Sequence, residues 1–169
     1  MATGEPMARC RALDHVSLTV PDLDQAAAFF VQAFGARELY RRAWAPSPEG
    51  DTDMAARFDM SAHAAFRLAK MDLGGSGLEL FEYRAADLEV RRPRNCDAGG
   101  CHLGLLVDDV DAAAARLRAL PGVRLLGDVS EIGAGHPLAG RRWIYFLTPW
   151  GQQLELVSPI PPAIQDRSQ

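Results

Sequence analysis

Two histidines and two glutamates stand at repeated places in this chain, and side chains of those types can together hold a divalent metal. His15 lies near the head of LDHVSLTVPDLDQAAAFF and His102 near the head of GGCHLGLLVDDVDAAAARL. Asp22 and Asp24 follow His15 by seven and nine residues, and Asp109 and Asp111 follow His102 at the same distances. Twenty residues after each histidine stands a glycine, Gly35 or Gly122, and two further an arginine, Arg37 or Arg124. Offsets that agree over this length indicate an internal duplication. The glutamates, Glu79 and Glu155, sit at the centre of a shared Leu-Glu-Leu in GLELFEY and QQLELVS. A carboxylate between two core leucines needs a partner, because burying an unpaired charge is costly. A divalent ion is a natural one, and two imidazoles with two carboxylates suit Zn, Ni, Co, Mn or Fe better than metals that favour thiolates. Four protein ligands leave two octahedral positions for water or substrate oxygens, the open arrangement of a catalytic site.

The elements that must position these groups can be read from periodicity. Leu13 to Val20 alternates, with Leu13, His15, Ser17 and Thr19 on one face and Val16, Leu18 and Val20 on the other, which predicts a strand. Pro21 ends it, and Asp24 is the expected N-cap of a helix over Gln25 to Ala33 closed by Gly35. Further strands are expected over Arg37 to Trp44, Ala64 to Asp72 and Leu78 to Tyr83, the last two joined by the turn GGSG at Gly74 to Gly77. Ala45 to Ala62, with Pro46, Pro48 and Gly50, reads as a long loop. The second module repeats the order: strand Cys101 to Val107, helix Asp111 to Leu120, strand Val123 to Leu126, loop Gly127 to Gly140, then strands Arg142 to Leu147 and Gln152 to Ser158 across the turn TPWG. The expected organisation is a tail over 1–12, modules over 13–84 and 101–158, a linker over 85–100 and a tail over 159–169. In both Leu-Glu-Leu strands the glutamate falls on the face opposite the leucines, shared with Phe81 and Tyr83 in the first and with Gln153 and Val157 in the second.

Composition narrows the function classes. The chain has 169 residues, 48% hydrophobic and 24% charged, which is the make-up of a globular protein with a full core. A net charge of −4 with no basic block gives no electrostatic case for nucleic acid or a membrane surface. Apolar runs are strand-sized and the N-terminus has no apolar signal region, so a cytoplasmic protein is expected. Cys10, Cys96 and Cys101 form no framework spacing and read as reduced thiols, with Cys101 as a core thiol.

The repeated module with His15, Glu79, His102 and Glu155 resembles the vicinal oxygen chelate superfamily of glyoxalases, fosfomycin resistance proteins and extradiol dioxygenases, over about residues 13 to 158. The resemblance implies an α+β fold in which two βαβββ modules pair into a cup-shaped open barrel. It implies one divalent metal held by those four residues, a small-molecule substrate with adjacent oxygens, and a homodimer. Its chemistry implies an enediolate stabilised at the metal, with one of the catalytic residues Glu79 and Glu155 as base and the other as acid.

Within the family, the four-ligand set resembles glyoxalase I, but Thr19 and Tyr83 stand where that enzyme usually carries the Arg and Asn that hold glutathione. GLELFEYRAAD resembles a smaller group of epimerases of the cyclic polyol ketone 2-epi-5-epi-valiolone, so a hydroxyketone epimerase is expected, with a glyoxalase-type lyase as the alternative. A metal-free sequestering protein is the alternative from another class. Phe81, Tyr83, Trp143 and Tyr145 are candidate substrate-binding residues on the presumed cup face, or else core aromatics. Arg67 and Arg142 read equally as contacts to an anionic substrate group or as salt-bridge partners. His63 and His136 read as exposed loop residues, and Trp150 as a structural turn residue.

Overall fold

In a computed structural model, described for residues 10–46, 56–61, 63–89, 91 and 93–161, the chain divides into two compact units with the boundary between Leu88 and Glu89. Unit 1 runs β1 (His15–Thr19), α1 (Leu23–Phe34), β2 (Arg37–Pro46), β3 (Ala65–Leu73) and β4 (Ser76–Arg84). Unit 2 runs β5 (Leu103–Leu106), α2 (Val110–Arg118), β6 (Arg124–Glu131), β7 (Arg142–Leu147) and β8 (Gln153–Val157). Each is a βαβββ module. The sheet orders are β1-β4-β3-β2 and β5-β8-β7-β6, with the first strand parallel to the last and the other pairs antiparallel. The helical crossover after the first strand permits that parallel pair, and hairpins close the rest.

Alternation divides each sheet into two faces. Leu78 and Leu80 of β4 and Leu154 and Leu156 of β8 are almost fully buried, on the face their helix covers with Leu23, Ala26 and Phe30 or with Val110, Ala114 and Leu117. The other face carries His15, Ser17, Glu79 and Lys70 in unit 1, and Glu155 and Tyr145 in unit 2, as the strand registers dictate. Site and core are thus opposite sides of the same strands.

Several boundaries differ from expectation. Asp22, not Asp24, caps α1, its side chain accepting from the Gln25 N–H at 2.9 Å; α2 starts at Val110, one residue earlier than expected, and Asp109 caps it in the same way through Ala112. Each removes an unpaired N–H from a helix start, worth about 1 kcal/mol, while Asp24 and Asp111 lie in the first turns, where a negative charge meets the positive helix end. The β3–β4 turn is two residues, Gly74 and Gly75, both at positive φ, so Ser76 and Gly77 belong to the strand. β6 continues through Glu131 and takes the first part of the expected 127–140 loop, because Ser130 and Glu131 pair with Trp143 and Arg142 beyond a register shift. β5 starts at Leu103, leaving Cys101 outside the strand and exposed rather than in the core. Most of the expected 45–62 loop and of both tails lies outside the described residues. Among the described residues no helix is long and apolar enough to cross a membrane.

Candidate functional site

In unit 1, β1 and β4 run side by side with Ser17 opposite Glu79, so His15, two residues earlier, leans along the strand toward the same carboxylate. Its Nε2 lies 3.4 Å from Glu79 Oε2, and its Nδ1 is 2.7 Å from Asp14 Oδ2. Gly77 permits this approach: a Cβ there would stand 2.6 Å from the Asp14 carbonyl oxygen and 2.9 Å from His15 Cβ. Across the hairpin Lys70 pairs with Glu79, its Nζ donating to Oε1 at 3.1 Å. The exposed Asp14 carboxylate is held below its usual pKa first by the hydrogen bond from His15, then by the charge of Lys70.

Unit 2 repeats the pair. His102 Nε2 lies 3.5 Å from Glu155 Oε2, and its Nδ1 lies 3.0 Å from Asn95 Oδ1. Gly104 stands opposite Glu155 on β5, and Tyr145 opposite it on β7. The Tyr145 ring meets His102 edge-on at 5.0 Å and Trp143 at 5.2 Å, so both aromatics lie on the Glu155 face. Burial, and then the charge of Glu155, raises the Tyr145 phenol above its ordinary pKa.

Phe81 and Tyr83 share the Glu79 face but stack on each other at 5.6 Å. Phe81 is buried in a cluster with Phe66 and Leu68, while Tyr83 is half-buried, its pKa raised by burial and then by Glu79. Arg67 and Arg142 sit on the opposite, helix-covered faces. Arg67 bonds Glu82 and Asp24, and Arg142 bonds Asp111 at 2.8 Å, so both tie a strand to the start of its helix. Opposite charges at these places serve the fold, and the substrate-contact alternative falls away. His63 and His136 are exposed, and His136 Nδ1 accepts from the Leu138 N–H. Unit 2 also has a cavity of about 220 Å³ whose lining includes Asn95, Cys101, Arg124 and Gln153.

The donor chemistry fits a divalent metal. An imidazole that donates Nδ1–H to Asp14 or Asn95 keeps its lone pair on Nε2, and such outer partners fix metal-binding histidines elsewhere. The gaps of 3.4 and 3.5 Å are long for a hydrogen bond. They are short enough for both atoms of a pair to reach one ion at about 2.0–2.2 Å. Among the described residues no group of three or more His, Cys, Asp or Glu side chains gathers at one point, so each unit supplies a pair. Asp14, Lys70 and Asn95 were not singled out in sequence. Hairpin register across a two-residue Gly-Gly turn would have found Lys70, but nothing in spacing marks Asp14 or Asn95.

The βαβββ fold has counterparts among known proteins. A profile of the Glyoxalase/Bleomycin resistance protein/Dioxygenase superfamily matches residues 12–156. A 2-epi-5-epi-valiolone epimerase from Actinomyces sp is 50% identical over 157 residues, covering 92% of this chain and 84% of the relative. Among solved structures, a glyoxalase family protein from Bacillus cereus superposes with a TM-score of 0.71 at 22% identity, over 94% of this chain and 100% of that one. A genomically encoded fosfomycin resistance protein from Listeria monocytogenes, complexed with Mn(II) and sulfate, superposes with a TM-score of 0.57 at 19% identity, over 93% and 98%.

Proposed function

The chain belongs to the Glyoxalase/Bleomycin resistance protein/Dioxygenase superfamily, and from that premise we propose that it is a metal-dependent epimerase of a cyclic hydroxyketone of the 2-epi-5-epi-valiolone kind. The observation that carries this reading is the duplicated pair, His15 with Glu79 and His102 with Glu155, each histidine leaving Nε2 toward its glutamate. The Actinomyces epimerase supports the substrate class, and Mn(II) in the Listeria complex supports a divalent ion. His15, Glu79, His102 and Glu155 would hold one such ion, from Zn, Ni, Co, Mn or Fe, which when bound supplies Lewis-acid stabilisation of charge developing on adjacent substrate oxygens.

The chain's own groups move the proton. One of Glu79 and Glu155 takes it from the carbon beside the ketone, the C–H electron pair enters the enediolate, and the other glutamate returns a proton to the opposite face. The centre inverts with no redox partner consumed. Tyr83, Trp143 and Tyr145 wall the substrate, with Phe81 packed behind Tyr83. The reading includes a homodimer, the family's usual assembly, and a reducing cytoplasmic setting, which three free thiols support.

The test is isotopic. In D₂O with metal restored, the protein should place deuterium at the epimerised carbon of a cyclitol ketone. Turnover of a hemithioacetal without such exchange would assign a glyoxalase-type lyase instead. Absence of both activities in a protein that retains no divalent metal would assign a sequestering protein.

A further inference from the structure

The two glutamates do not have equal neighbours. Opposite Glu79 in the register stands Lys70, and opposite Glu155 stands Tyr145. Lys70 is no loose surface lysine: it lies on β3, between β2 and β4, its side chain 17% exposed, with Nζ 3.1 Å from Glu79 Oε1 and 4.0 Å from Asp14 Oδ2. Gly77 keeps the space, since a Cβ there would come within 3.2 Å of Nζ. In unit 2 the ion-pair partner of Glu155 among the described residues is His102, and the residue across the hairpin is a neutral phenol packed edge-on to that histidine.

Resting on the metal-dependent epimerase reading, we propose that Lys70 is a positioning residue: by tying Glu79 through Oε1 it makes Glu79 the carboxylate that a metal holds more weakly and that takes the substrate's proton, and leaves Glu155 as the more tightly held of the two. The physics is competition. An ammonium already bonded to one carboxylate oxygen offsets the attraction that oxygen offers a dication, and its charge repels the dication in a half-buried setting. An ordinary cross-strand ion pair would only help hold the two strands together and would not distinguish the glutamates in metal binding.

Zn(II) affinity, measured by competition with a chromophoric chelator, reads this apart from activity. Lys70→Met should bind Zn(II) about tenfold more tightly than the wild type and lose about tenfold in kcat, with KM nearly unchanged, because outer partners act on that scale. Lys70→Arg should restore most of both. In a double-mutant cycle, Glu79→Gln should cost little Zn(II) affinity in the wild type and about tenfold in the Lys70→Met background. Lys70→Gln gives a second, polar background should the methionine variant fail to fold. Equal costs of Glu79→Gln in both backgrounds would overturn the role of Lys70 while leaving the epimerase reading intact. A wild type that binds no Zn(II) and catalyses no exchange would overturn both.

Discussion

In unit 1 the His–Glu pair is flanked by two charged residues, Asp14 and Lys70; in unit 2 the equivalent pair is flanked by two neutral ones, Asn95 and Tyr145. The helix sides diverge in the same way. Arg67 with Asp24 and Arg142 with Asp111 repeat one strand-to-helix tie, but Glu82, buried beside Arg67, has its register counterpart in Ser158. Duplication has kept the donors and the ties, and has let their partners drift. A symmetric pair of carboxylates cannot itself decide which one gives and which one takes a proton. Asymmetric partners can, and unit 1 carries the charged ones.

The largest expected effect is on the glutamates. Glu79→Gln and Glu155→Gln should each lower epimerisation by about 10²–10⁴-fold, the range for loss of a general acid or base. Metal content should separate them, with Glu79→Gln retaining its ion and Glu155→Gln losing it. Equal retention, measured by elemental analysis of the purified variants, would erase the difference between the halves.

Next comes the buried carboxylate of unit 1. Glu82 accepts from the Leu23 N–H at 2.8 Å and from Arg67 Nε at 2.8 Å, so its charge is shared between helix start and strand. Glu82→Ala should lower unfolding free energy by about 1.5–3 kcal/mol, as loss of hydrogen bonds to a charged group does. Ser158→Ala, which removes the acceptor of the Arg142 N–H, should cost about 0.5–1.5 kcal/mol. Denaturant titration of both variants checks the order.

Much of this was legible in sequence because a strand's period is two. Parity alone separates Glu79 and Glu155 from the leucines beside them, and it puts Trp143 and Tyr145 on the Glu155 face. What parity could not reach were contacts set by turn length and by chain neighbours. Reading GGSG as a four-residue turn shifts the hairpin register by two residues and sets Lys70 opposite Phe81; the observed two-residue turn pairs it with Glu79. Asp14 and Asn95 are short polar residues outside any strand, and only the folded positions of His15 and His102 show what they hold. The cap positions were visible in the repeat, since Asp22 and Asp109 share one offset from the histidines, but Asp24 and Asp111 share another. An acid one turn-position inside a helix and an acid at its cap look alike until the backbone bends.

The smallest effect concerns Asp24, and its sign follows from proton binding. Asp24 accepts from Arg41 and from Arg67, and the Arg67 hydrogen bond is the main cause that holds its pKa below the usual carboxylate value. An unfolded aspartate titrates near about 3.9. A lower folded value means the unfolded chain takes up the proton first, so the stabilisation is whole above that pH and is lost as pH falls through the folded value. Because the Asp24 side chain is 65% exposed, solvent screening keeps the contribution to about 1 kcal/mol or less. Asp24→Asn should therefore be less stable than wild type near neutrality by up to about that amount, and the two should converge as the pH falls through the folded value. Denaturation midpoints measured across this range, with Asp111→Asn as the unit 2 counterpart, make the comparison direct. Stability curves that stay parallel down to the acid limit would mean that the Asp24 tie acts through packing and helix geometry.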